Sequence, residues 1–196
     1  MTEKPADDDR FYRLLERLFK EIDQDAIQAD VTALRASRPN DSREALAEYM
    51  TRRAARRVAG VGAAAGLPGG PLAMLAMAPD IFNLVLQQSR LILSIAFLYG
   101  RKANLKQRSN EVLATLAVAT GVSVGRLGVR ALITEGIKTT VARKMAKKIF
   151  GRFVFRRLPM IAPVLGTVAG ASLNYVSMRA VGKAAVNFYK GSDTEV

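Results

Sequence analysis

The chain has neither cysteine nor histidine in its 196 residues. Without cysteine there are no disulfides, thiolate nucleophiles or cysteine-based metal sites. Without histidine it lacks the commonest general base near neutral pH and the commonest metal ligand. Triads built on histidine are closed to it. Only carboxylate or lysine chemistry would remain, so no catalytic centre, metal or cofactor is expected. Alternating apolar and polar runs are also missing: Gly121–Gly125 is the one short strand-like patch, and there is no internal repeat. The expected class is all-α, a compact multi-helix bundle of one ordinary domain.

Acidic side chains become scarce after the first quarter. Residues 1–50 carry 8 basic and 12 acidic side chains, residues 51–100 carry 5 and 1, and residues 101–196 carry 17 and 4. The net charge of +13 therefore belongs to the C-terminal half. Such a field favours anionic partners: lipid headgroups, nucleic acid or an acidic protein. Met1–Asp9 is acidic, and Phe11–Ala26 is too charged for the apolar core of a signal peptide. The expected location is cytoplasmic.

Against this charge stand two uncharged stretches, Val58–Pro79 of 22 residues and Leu158–Met178 of 21. Each matches the ~20 residues that cross a bilayer as a helix. Each follows an arginine cluster, Arg52, Arg53, Arg56 and Arg57 before the first, Arg156 and Arg157 before the second. In the first, 8 residues are Gly or Pro and only 7 are larger apolar residues, so a bent hairpin suits it better than a span. Pro159, Pro163 and Asn174 weaken the second in the same way. Both are expected to form Gly/Pro-broken helical hairpins.

The apolar spacing of Phe11, Leu14, Leu15, Leu18, Phe19 and Ile22 predicts an amphipathic helix over 11–27 behind a disordered acidic lead. Residues 35–41 read as a linker. Asp41 with Glu44 resembles a capping box opening a helix from Ser42 towards Ala65. Gly66–Pro71 must break that helix, a short apolar piece follows, and Pro79-Asp80 predicts a fresh start running to Tyr99 with Gly100 as its cap. Further helices are expected near 106–123, 126–135 and 137–157, and the last from Pro163 to about Lys190. This divides the chain into an N-terminal lead and helix over 1–40, a helical domain over 41–190 and a disordered tail over 191–196.

Three patterns bear on function. Glycines four apart (Gly62/Gly66, Gly121/Gly125, Gly166/Gly170) suit close helix contact, in a membrane or in a tight soluble bundle. Gly60-x-Gly62-x-x-x-Gly66 is no dinucleotide loop, because no strand precedes it. From Lys138 to Arg157 there are eight basic residues and no acid. On a helical wheel Arg143, Lys144, Lys147, Lys148 and Arg152 oppose an apolar arc, as in a helix lying on an anionic interface or one with a solvated basic face. Nucleic acid is the less favoured partner, since no stacking aromatics or known motif accompany the charge. Asp80 is the one acid between Glu48 and Glu111; it suits a helix cap or ion pair, or a ligand or catalytic role.

The order of these motifs resembles the EcsC family of bacterial proteins. Gly66-Leu67-Pro68-Gly69-Gly70 leads to Pro79-Asp80, then to Ser94–Tyr99-Gly100, and much later to Gly166-x-x-x-Gly170-x-x-x-Asn174-Tyr175. The resemblance covers roughly residues 45–190. Lys102–Lys106 departs from the acidic stretch associated with that place in the family, so no role for acids transfers there. The resemblance implies a bacterial protein associated with a membrane and a setting beside transport or secretion, more than a reaction.

The expected function is a non-enzymatic, membrane-associated helical protein at the inner face of the membrane, peripheral or partly embedded. Arg52, Arg53, Arg56, Arg57, Arg143, Lys144, Lys147, Lys148, Arg152, Arg156 and Arg157 are its candidate lipid contacts. The expected partners are anionic lipid or a membrane protein, with self-association as a further one. The alternatives are a soluble adaptor that binds an acidic protein or an apolar ligand, and a hydrolase using Asp80 with Asn174.

Overall fold

A computed structural model describes residues 20–64, 71–101, 111–112, 114–116, 118–119 and 163–191, and these are mostly helical with no strand among them. Helix α1 spans Gln24–Ser37, α2 Arg43–Ala64, α3 Pro71–Leu98 and α4 Pro163–Gly191. A further helical stretch covers the described residues of 111–119 and buries Val112, Ala114, Thr115 and Leu116.

The helix expected over 11–27 does not continue through residue 23. Asp23 is extended (φ −76°, ψ 107°), and its carboxylate accepts a 3.0 Å hydrogen bond from the Ala26 N–H. This satisfies one of the orphan donors of a helix start, so Asp23 opens α1 and separates it from what precedes. Residues 28–37, partly assigned to a linker by sequence, are helix. Val31 is buried between α1 and α3, with Ile27 and Leu34 beside it. At the start of α2 the capping residue is Ser42, whose Oγ accepts from the Ala45 N–H at 3.1 Å. Asp41 instead pairs with Arg38 at 3.2 Å, and Glu44 reaches across to Lys190.

Pro79 does not interrupt its helix, contrary to expectation, whereas Asn174 lies inside the helix expected from Pro163 to about Lys190. A proline inside a helix costs about 3 kcal/mol. In α3 that cost is offset by one long apolar face: Leu84, Leu91, Ile92, Ile95 and Leu98 are all buried. Each such side chain contributes roughly 1.5–3 kcal/mol. The expected cap is present at the far end. Gly100 has φ +80°, its N–H donates to Phe97 O at 2.9 Å, and the Arg101 N–H donates to Ala96 O at 3.0 Å. This is a Schellman closure, which favours glycine because the left-handed conformation strains a Cβ. Pro163 opens α4 at the first position, where its missing N–H is harmless.

The most extensive packing joins α2 to α4. Ala47, Thr51 and Ala55 line one face of α2, and Met178, Val181, Gly182 and Ala185 line the facing side of α4; all are buried. A Cβ at position 182 would lie 2.9 Å from Thr51 Cβ, and closer still to its Oγ1 and Cγ2. Thr51 is held in place by donating to Ala47 O at 2.7 Å. Lys190 Nζ meets Glu44 at 3.0 Å near one end of this pair, so α2 and α4 are antiparallel. Arg43 lies over the Tyr99 ring, 5.9 Å to its centroid, which makes α2 and α3 antiparallel as well. Helices α3 and α4 therefore run parallel, joined by Gln88 Nε2 donating to Ser177 Oγ at 2.9 Å. Tyr189 OH donates to Glu111 at 3.1 Å and ties α4 to the 111–119 stretch.

Glu48 is shared by Arg52 on its own helix and Arg179 on α4. The Arg179 hydrogen bond, then that of Arg52, holds the Glu48 carboxyl below the usual range, and Glu48 in turn raises Arg179. Glu44 is lowered, and Lys190 raised, chiefly by the hydrogen bond between them.

Gly182→Ala and Thr51→Ala should each lower the melting temperature, Gly182→Ala by about 2–10 °C if overpacking costs ~1–3 kcal/mol. The double variant should lose less than the two single losses summed, because removing Oγ1 and Cγ2 makes room for the new Cβ; strict additivity in calorimetry would refute the close approach. Glu48→Gln should lose under about 1 kcal/mol at neutral pH, as befits a half-exposed pair. A lowered carboxyl stabilises above its unfolded pKa of about 4.5 and loses that contribution as pH falls through the folded value. The difference in melting temperature between wild type and Glu48→Gln should therefore vanish as the pH is lowered through and below that range.

Candidate functional site

The four arginines of α2 stand at positions i, i+1, i+4 and i+5, which on a helix is one broad face. Arg52, Arg53, Arg56 and Arg57 are all exposed. Arg52 Nε donates to Glu48 at 2.7 Å. Arg53, Arg56 and Arg57 make no ion pair among the described residues.

The helix directions put two more guanidinium groups at the same height. Thr51 faces Gly182 across an antiparallel pair, so residue 54 is level with residue 179. Gln88 faces Ser177 across a parallel pair, so residue 90 is level with 179 as well. Arg90 and Arg179 thus join the α2 cluster in a belt around the bundle. On one side of the belt lie Glu44, Glu48, Arg43 and Lys190. On the other, residues 58–64 of α2 and 163–178 of α4 carry no charge, and residues 71–89 of α3 carry only Asp80. From residue 179 to the start of α4 is about 24 Å at 1.5 Å per residue, short of the ~30 Å of a hydrocarbon core. Among the described residues, no helix is long and apolar enough to cross a membrane.

A groove of about 230 Å³ opens between α1, α2 and α3. Arg53 and Arg57 of the belt line it, with the half-buried Arg90 from α3. Asp23 and Asp30 of α1 line it too, above a floor that includes Ile27, Val31, Met50 and Leu91. Arg38 sits 4.2 Å from the Tyr49 ring centroid and pins the end of α1 to α2 beside the groove. Sequence reasoning missed this site because it assigned no helix to 28–34. One signal was available: Arg90 is the single basic residue between Arg57 and Arg101.

The remaining candidate residues are dispersed. Asn174 is 9% exposed and Tyr99 5%, both in packed positions, while Tyr175 is half-buried beside the core. Gly166 and Gly170 lie in the opening turns of α4, and Asp80 lies within α3, its side chain outside the described residues. Gly66, Pro68, Gly69, Gly70 and the whole basic segment with Arg143, Lys144, Lys147, Lys148, Arg152, Arg156 and Arg157 are outside them too. Among the described residues, no group of three or more acidic side chains could hold a metal ion.

No curated protein and no solved structure matches the chain. A model of the EcsC protein family matches residues 24–191, from the first residue of α1 to the last of α4. With most of its length covered by that match, the chain belongs to the EcsC protein family.

Proposed function

We propose that the chain is a non-enzymatic, membrane-associated helical protein that binds anionic lipid surfaces, accessory to transport or secretion at the inner face of a bacterial membrane. The observation that carries this is the arginine belt at the border of an uncharged end. Arg53, Arg56 and Arg57 are exposed and unpaired among the described residues, and the portions of α2, α3 and α4 beyond them carry only Asp80, while α1 sets Asp23 and Asp30 beside the belt. Guanidinium groups engage phosphate through paired donors while the apolar end faces the acyl region. Each basic residue near an anionic surface contributes about 1 kcal/mol, so three supply roughly 3 kcal/mol, on the order of a 100-fold gain in affinity. The basic segment 138–157 would add to this.

Flotation with liposomes tests the proposal. The protein should float with vesicles containing phosphatidylglycerol and not with phosphatidylcholine alone, and high salt should release most of it. Replacing Arg53, Arg56 and Arg57 together by Gln should weaken binding on the order of 10–100-fold at low salt. Equal recovery on neutral and anionic vesicles at any salt would sink the electrostatic account. Monodisperse protein without detergent that floats with neither would favour the adaptor for an acidic protein.

A further inference from the structure

The groove between α1, α2 and α3 carries charges of both signs, which a purely anionic surface does not call for. Arg53, Arg57 and Arg90 line it from α2 and α3, and Asp23 and Asp30 from α1. None of the three arginines, nor Asp30, has an ion-pair partner among the described residues. Asp23 is partly committed, since one of its oxygens caps α1. Opposite charges that line one groove from different helices without pairing leave room for a ligand that presents the complementary pair.

We infer that the groove takes the headgroup of an aminophospholipid, with its phosphate on the arginines and its primary ammonium on Asp30. The inference rests on the membrane-surface function proposed above and names the lipid. Three features carry it. The arginines offer forked donors matched to phosphate oxygens, which lysine would supply only as point charges. Asp30 is an exposed carboxylate that can accept hydrogen bonds from a primary ammonium; a quaternary ammonium has no N–H to give. The volume of about 230 Å³ lies below the ~300–1,000 Å³ of pockets that enclose drug-sized ligands. It holds a headgroup and leaves the acyl chains outside. The three arginines of the groove, Arg53, Arg57 and Arg90, belong to the belt, so a headgroup seated there stays at the level where the belt meets the surface.

The experiment compares vesicles of equal phosphatidylglycerol content in which the remainder is phosphatidylcholine or phosphatidylethanolamine. Both remainders are zwitterionic, so net surface charge is constant. Recovery at limiting lipid should rise ~3-fold or more with phosphatidylethanolamine, the scale of one charge-assisted hydrogen bond discounted for exposure. Asp30→Asn should abolish that gain while recovery on phosphatidylcholine–phosphatidylglycerol stays at or above wild type, because one repelling charge is gone. Arg90→Gln should also reduce the gain, and circular dichroism melts should show both variants folded. Equal recovery on the two compositions would overturn the headgroup site and leave binding to phosphatidylglycerol standing. A gain that survives in Asp30→Asn would overturn it too, tracing the effect to lipid packing. Saturable binding of glycerophosphoethanolamine in solution, with no gain on vesicles, would overturn the lipid as the source of the ligand.

Discussion

The close approach of α2 and α4 at Thr51 and Gly182 is the constraint on which the rest depends. A side chain at 182 would collide with Thr51, so the two backbones can only come this near with glycine there. Nearness locks the register, because small residues four apart on α2 must fall opposite Gly182 and Ala185. The register in turn sets Glu44 against Lys190 and Glu48 against Arg179. Exposed and half-exposed ion pairs of this kind are screened by water and salt and are individually weak. They are too weak to hold the helices together, and burial of the apolar faces supplies that. They do disfavour a slipped register, in which those charges would lose their partners.

The same register produces the polarity of the bundle. Three helices bring their uncharged portions to one end and their ion pairs to the other, with guanidinium groups between. An arginine at the centre of a membrane helix costs about 2.5–3.5 kcal/mol by insertion measurements. On the proposed function, a ring of arginines at one height would be a depth limit as well as an attraction: the uncharged portions of α2, α3 and α4 would follow the acyl region only until the belt met the phosphates. On the proposed function, length matters less than where the charges stop.

Much of the fold could be read in the chain. The all-α class followed from the absence of alternating runs, the α3 cap from Gly100, and the extent of α4 from Pro163 and the run to Lys190. The misreadings have local causes. Pro79 was read as a break because local propensity counts against it, and packing of a long apolar face overrides propensity. Asp23 was read as part of a continuous helix because the spacing of apolar residues does not register a cap. The groove was harder to see. Its acidic lining comes from α1, its basic lining from residues 53, 57 and 90, and no spacing along the chain brings these together.

By itself the sequence determined what chemistry is closed to this protein, where its charge lies and that it folds as helices. Those depend on composition and on periods of three to four residues, which are local properties. Only the tertiary structure decided that the uncharged portions of α2, α3 and α4 share one end, that Arg90 and Arg179 stand level with the α2 cluster, and that two aspartates line one groove with three arginines. These are matters of helix direction and register, set by contacts between residues as far apart in the chain as Thr51 and Gly182. Such contacts form because burying apolar faces is non-directional, while close packing accepts few arrangements of them.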